Sequence, residues 1–362
     1  THDLRFDFSE WNPVSVCEDA ALQNLKISAP IAPPVRITQR ISPVNTHRDG
    51  ENVIFDFGQN LVGFVRLRVR GQRGQNVSLR FAEVLQGGPL ATEGPIYTEN
   101  LRSAKQTDGV ILAGAEAGEW FEPKFTFHGF RYCEISGADE SQILEIEAVV
   151  LHTDNRETGG FSCSDELVTQ LQKNIEWGWR GNSVDVPTDC PQRDERLGWT
   201  GDAQVFVRTS AFLCDTAAFW REWARDVADA QTALGGVPCV VPDVQMLSDP
   251  TTDAFGGASA DGGPAWADAA LICPWTTYRV YGDTRLLEEN YPVFERYVAF
   301  LQSTARDGIR CYDGCDYFQG FGDWLALNGS GKTDGGTHRD LLGTAFFAHS
   351  ADLLSRIAHV LG

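Results

Sequence analysis

The chain is 362 residues long, too long for one ordinary core, so two domains are expected. Hydrophobic residues at 42% and aromatics at 11% suffice for globular cores, while 50 acidic against 30 basic residues give a formal net charge of −20. That balance argues against nucleic acid and an anionic membrane surface as partners and for a neutral or polar ligand. No segment is apolar for long enough to span a membrane, and no signal-peptide pattern opens the chain, although its first residue is Thr1 rather than Met.

Residues 1–30 carry no sustained period and read as a linker or the tail of a preceding domain. Pro30, Pro33 and Pro34 mark a boundary. From there residues 31–156 read as an antiparallel β-sandwich. Phe64 to Arg70 alternates apolar and basic side chains with period two, and Val77 to Ala82 repeats the pattern after a turn at Gly71 to Gly74. Further strands are predicted near Val110 to Leu112, Phe125 to Phe127, Phe130 to Ile135 and Leu144 to Leu151, with no long helix between them. Arg131 and Tyr132 read as a strand anchor to the neighbouring domain or as part of a ligand groove, and Glu83 and Arg102 as candidates for a domain interface.

Near Gly159-Gly160 the period changes to that of helices, and residues 157–362 form the second predicted domain. Leu167, Leu171, Ile175 and Trp179 recur at steps of four behind a cap at Ser164 or Asp165. Helical runs follow at Asp202 to Leu213, Thr216 to Ala233, Ala265 to Val280, Thr284 to Thr304 and Asp340 to Val360. Long acidic, Gly-rich connections join them, Leu234 to Pro264 above all. Helices alternating with elaborate loops and no strands indicate a helical toroid with its ligand loops at one end, although periodicity alone also allows a simpler bundle.

The nine cysteines include no CxxC pair. Cys311 and Cys315 flank a turn without a histidine pair nearby, so no metal site is expected. Cys214, Cys239 and Cys273 sit in apolar runs as small core residues, and this usage favours a reducing, cytoplasmic compartment.

The densest chemistry lies in Asp189 to Gln204, DCPQRDERLGWTGDAQ. It carries four carboxylates (Asp189, Asp194, Glu195, Asp202), two arginines (Arg193, Arg196) and Trp199. Pro191, Gly198 and Gly201 make most of it an ordered loop that runs into a helix with Asp202 at or near its N-cap. Carboxylates that accept sugar hydroxyls, arginines that orient them and a flat ring for the apolar face of a pyranose make this a carbohydrate site. A surface loop of interlocked salt bridges is the competing reading.

DVPTDCPQRDERLGWTGDAQ resembles the signature of the bacterial α-L-rhamnosidases of glycoside hydrolase family 78. The likeness continues upstream in VIFDFGQNLVGFVRLRV, LRFAEVL and FTFHGFRYCEISG, and downstream in GGPAWADAALICPWTTYRVYGD and GFGDWLAL. It implies an antiparallel β-sandwich followed by an (α/α) six-hairpin toroid, truncated here because about six helices cover only half of six hairpins. It also implies inverting hydrolysis of terminal α-L-rhamnosyl groups, with a general acid and a general base roughly 6.5–9.5 Å apart.

By position in the motif the acid falls on Glu195, with Asp194 as its rival. Asp189 and Asp202 correspond to binders of rhamnose hydroxyls and Trp199 to an aromatic of the site. Trp266 and Trp324 look like further tryptophans of the same wall, although each also fits ordinary core packing. No residue matches the family's basic glutamate, which is expected beyond this chain. Asp189, Asp194 and Asp202 would raise the Glu195 pKa if Arg193 and Arg196 paired with aspartates instead. No metal or organic cofactor is implied, and the expected partner is a rhamnose-containing glycoside or polysaccharide. Another glycosidase on a helical toroid and a non-catalytic carbohydrate-binding module are the alternatives.

Overall fold

A computed structural model describes residues 2–3, 9, 12–18, 25, 27–244, 262–315, 317–327, 333 and 335–362. Half of the stretch read as a linker, and most of Leu234 to Pro264, lie outside the described residues. The chain divides into two compact units. One comprises Thr1–Pro30, Pro34–Asp154 and Cys190–Glu195, and the other Ile31–Pro33, Asn155–Asp189 and Arg196–Gly362. Cys190–Glu195 thus groups with the β unit, not with the helices that precede and follow it in sequence.

The β unit is built from β1 (His2–Asp3), β2 (Val35–Ile41), β3 (Asn45–Asp49), β4 (Asn52–Val69), β5 (Asn76–Ala82), β6 (Thr107–Ile111), β7 (Glu119–Phe121), β8 (His128–Ser136) and β9 (Ile143–Thr153). These strands join in the order β1-β6-β5-β8-β4-β9-β2, with β3 and β7 also on β4. Every pairing is antiparallel except that of β1 with β6, which is parallel. The period-two stretch at Phe64 to Arg70 is only the second half of β4. Its first half, Val53 to Phe57, is buried without alternation, because both faces are covered. Phe57 meets Phe130 edge-on at 5.8 Å, and Phe130 lies 4.9 Å from Phe81. A two-residue turn links β3 to β4, with Gly50 at φ 59°, where such a turn needs a positive φ.

Phe125 to Phe127 is not a strand. Pro123 removes a backbone donor just before it, and Phe125 is fully exposed at φ 57°. Arg131 does brace a strand, but within the β unit, as its guanidinium donates to both Asp56 oxygens at 2.7 Å. Burial alone would raise the Asp56 pKa, yet these bonds and the Gly58 amide hold it below the ordinary range.

Six α-helices stand in the second unit among the described residues: α1 (Glu166–Gly181), α2 (Thr200–Leu213), α3 (Ala217–Ala230), α4 (Ala269–Tyr281), α5 (Thr284–Ser303) and α6 (Arg339–Leu361). None of them is long and apolar enough to cross a membrane. Asp165 caps α1, accepting from Leu167 N at 2.9 Å and Val168 N at 3.3 Å. A two-stranded hairpin, β10 (Ser183–Val184) with β11 (Val186–Pro187), adds strands where none were expected.

Helix α4 packs on α2, α3, α5 and α6. Both α2 and α4 bury small residues, Gly201, Ala203 and Ser210 on the one and Ala269, Ala270 and Cys273 on the other, which suits close helix packing. Trp179, Phe219, Trp220, Trp223, Phe294 and Tyr297 fill the core. Helix α4 begins at Ala269 instead of Ala265, since Ala265 sits at φ 66° and cannot be helical.

Candidate active site

The loop after β11 is closed at its base by Asp189. Its N–H donates to the Leu197 carbonyl at 3.1 Å, and its Oδ1 accepts from Leu197 N at 3.0 Å. Beyond Leu197 the chain is fixed to Val237–Val241. Val241 N donates to Gly198 O at 2.8 Å, and the Thr200 N–H and hydroxyl both donate to Cys239 O at 2.9 Å. Gly198 has to be glycine, because a Cβ there would lie 2.0 Å from the Val241 carbonyl oxygen. These bonds start α2 at Thr200 with Trp199 as N-cap. Asp202 is therefore the third residue of the helix, and Gly201 lies inside the helix it was expected to interrupt. The Asp202 carboxylate still stands at the positive end of the helix dipole.

A cavity of about 590 Å³ opens in the helical unit, with Asp189, Asp202, Trp266 and Trp324 in its lining. Four of the residues singled out from sequence are thus brought together. Trp199 does not line it. It is buried against Cys239, Val240 and Trp266, behind the wall. Phe321 joins the rings, with centroids 5.6 Å from Trp199, 4.9 Å from Trp266 and 5.9 Å from Trp324. Trp324 is half exposed and Trp266 almost wholly buried, so Trp324 is the accessible indole of the wall and Trp266 the fixed one. Sequence reading missed Asp323, Gln204, Phe206 and Trp179 in the lining. Asp323 adjoins Trp324 and could have been found from that adjacency. Phe206 and Trp179 carry only a core-type helical period.

Gly201 sets the position of Trp266, since a Cβ on Gly201 would lie 2.7 Å from the indole. Gly201→Ala is therefore expected to displace the ring. Alanine favours the helix by up to about 1 kcal/mol, which offsets part of the roughly 1–3 kcal/mol that overpacking against the indole costs, so the melting temperature should fall only slightly while KM for a substrate held in the cavity rises about tenfold. Thermal melts paired with steady-state kinetics check this.

In the β unit, Cys190–Glu195 rests on β8 and on the residues before β6. Gln106 Nε2 donates to the Gln192 carbonyl, and a Cβ on Gly129 would lie 2.9 Å from Pro191 and Gln192 side-chain atoms. Arg102 donates to Asp194 at 2.7 Å and to Glu195 at 2.6 Å, and Arg193 also donates to Glu195. Burial raises the Glu195 pKa, but the hydrogen bonds and charges of Arg193 and Arg102 outweigh it and hold the carboxyl below its ordinary range. The condition under which the aspartates would raise Glu195 is not met by Arg193, which donates to Glu195 itself, with Arg102 as a second guanidinium partner. Asp194 is held low as well, first by the Ser103 hydroxyl and then by the Ser103 amide and Arg102. Glu83, by contrast, is raised by burial, against a hydrogen bond from Asn60.

A β domain followed by helices around a cavity of carboxylates and tryptophans defines a glycosidase-type architecture. Residues 156–362 match the bacterial alpha-L-rhamnosidase 6 hairpin glycosidase domain, and residues 46–152 the bacterial alpha-L-rhamnosidase concanavalin-like domain. The chain belongs to this bacterial α-L-rhamnosidase family, glycoside hydrolase family 78. It is 45% identical over 315 residues to an alpha-L-rhamnosidase of Formosa agariphila, covering 85% of this chain and 31% of that protein. An alpha-L-rhamnosidase of Streptomyces avermitilis is 38% identical over 359 residues, covering 99% and 32%. The structure of a Streptomyces avermitilis alpha-L-rhamnosidase complexed with L-rhamnose superposes with a TM-score of 0.80 at 40% identity, covering 93% of this chain and 30% of that one. The chain spans about a third of the length of the curated relatives it matches.

Proposed function

We propose that this chain carries the acid side of the active site of an inverting α-L-rhamnosidase that removes terminal α-L-rhamnosyl groups from a glycoside or polysaccharide. The observation that carries the reading is the cavity. Asp189 and Asp202 offer acceptors for sugar hydroxyls beside the indoles of Trp266 and Trp324, in a chain 40% identical to a protein solved with L-rhamnose. The rings suit the C6 methyl of a deoxysugar, which an all-polar pocket would reject.

In this mechanism Glu195 protonates the departing glycosidic oxygen. Water activated by a second carboxylate attacks the opposite face of the anomeric carbon. No residue of this chain is assigned as that base. Trp199 acts on the site from behind, by backing Trp266.

The test is hydrolysis of p-nitrophenyl α-L-rhamnoside against the corresponding glucosides, by the complete gene product that contains this chain. Release from the rhamnoside alone, with product of inverted anomeric configuration by proton NMR, is expected. A folded protein that cleaves another glycoside, or binds rhamnose without turnover, overturns the assignment.

A further inference from the structure

We propose that Asp268, a buried carboxylate that does not line the cavity, is a positioning residue for the cavity wall at Ala265 and Trp266. The inference rests on the rhamnosidase reading for its kinetic consequence but not for its structural one. Asp268 is 0% exposed. Its Oδ2 accepts from Ala265 N at 2.9 Å and its Oδ1 from the Ser350 hydroxyl of α6 at 2.6 Å. A capping role for α4 does not explain this side chain. The Leu271 and Ile272 amides go to the main-chain carbonyl of Asp268, and its carboxylate makes no cap hydrogen bond to the helix.

The carboxylate reaches back to a residue whose conformation needs holding. Ala265 sits at φ 66°, a region that a residue with a Cβ keeps only where its surroundings over-determine it. The Ala265 carbonyl in turn accepts from Gln204 Nε2, so both of its peptide groups are bound. Three residues earlier, the Gly262 carbonyl accepts from Arg310 Nη1 at 2.9 Å, and Arg310 too is 0% exposed. The segment that carries Trp266 is thereby fixed by two buried ionisable groups of opposite sign. Ala265, Trp266 and Gln204 all line the cavity. A change in the Ala265 dihedrals swings the adjacent indole away from its seat on Gly201. A desolvated carboxylate is costly unless its hydrogen bonds are met, and here the wall segment and α6 supply two of them, with the Tyr297 hydroxyl of α5 and the Arg310 charge also acting on it.

The experiment compares Asp268→Asn, Asp268→Ala and Ser350→Ala in the complete gene product. The near-ultraviolet circular dichroism contributed by Trp266 is defined by subtraction of a Trp266→Phe spectrum, and KM and kcat are measured on p-nitrophenyl α-L-rhamnoside. Asparagine accepts from Ala265 through Oδ1 and donates to Ser350 through Nδ2, so it should keep the Trp266 band and leave KM within about threefold. Alanine should abolish the band and raise KM by about tenfold or more, with a smaller fall in kcat, as expected when binding geometry is lost and the reacting groups stay. Ser350→Ala removes one bond only and should give an intermediate band, which decides the matter if the alanine variant does not fold. An unchanged band in both truncating variants overturns the proposal, as does an asparagine variant as impaired as alanine. If wild-type protein cleaves no rhamnoside but the band still vanishes with Asp268→Ala, the positioning role stands and the rhamnosidase reading fails.

Discussion

Replacing Glu195 by Gln is expected to lower kcat on an alkyl α-L-rhamnoside by about 10²- to 10⁴-fold with little change in KM, the range a positioned general acid contributes. Glutamine keeps the acceptor for Arg102 and Arg193 but has no proton to give. The loss should be much smaller on p-nitrophenyl rhamnoside, whose leaving group departs readily without protonation. Equal losses on both substrates would mean that Glu195 only shapes the loop. The sign of the pH dependence follows from the same contacts. A general acid acts in its protonated form, so the rate falls as pH rises through the Glu195 pKa. Arg193 and Arg102 hold that pKa low against the opposing effect of burial, which places the alkaline limb on the acid side of neutrality. Arg102→Gln removes one of the two positive charges and should move the limb to higher pH. A limb that does not move would separate Glu195 from the titration.

Trp223→Ala should be severely damaging to the helical unit, costing about 3–5 kcal/mol of unfolding free energy. That is a large part of the roughly 5–15 kcal/mol that folded domains possess. Trp223 is 1% exposed and meets Trp220 edge-on at 5.7 Å. Its Nε1 donates to the Val241 carbonyl at 3.2 Å, so truncation leaves a cavity and takes a hydrogen bond from a buried oxygen. The damage should also reach the site, because Val241 N holds Gly198 O and the same segment anchors the start of α2 through Cys239. Urea unfolding measures the loss. Trp120→Ala is the control: this indole is 39% exposed under Arg66 and should cost little by comparison. Similar midpoints for the two variants would contradict the assignment of Trp223 to the core.

The order of elements was legible because each repeats a short-range pattern. Leu167, Leu171, Ile175 and Trp179 lie on α1, behind Asp165, one of the two caps the sequence offered beside Ser164. Helical runs at Asp202 to Leu213 and Thr284 to Thr304 correspond closely to α2 and α5. Where a pattern failed, a non-local contact had prevailed. Val53 to Phe57 does not alternate because both faces are covered, and Ala265 does not join α4 because Asp268 takes its amide.

The sequence by itself determined the chemistry available: carboxylates, arginines and an indole packed into Asp189 to Gln204, with two more tryptophans in glycine-rich segments downstream. Composition and spacing determine which side chains exist and which are near neighbours along the chain, and the family signature is written in those terms. Only the tertiary structure decided their roles. It gave Trp266 and Trp324 to the cavity wall and Trp199 to its backing. It gave Glu195 two arginines, one of them from a segment far away in sequence. It also made the buried Asp268 a clamp on the cavity wall. Burial, pKa and ring orientation depend on which atoms of distant segments come within a few ångströms, and no local pattern in the chain encodes those distances.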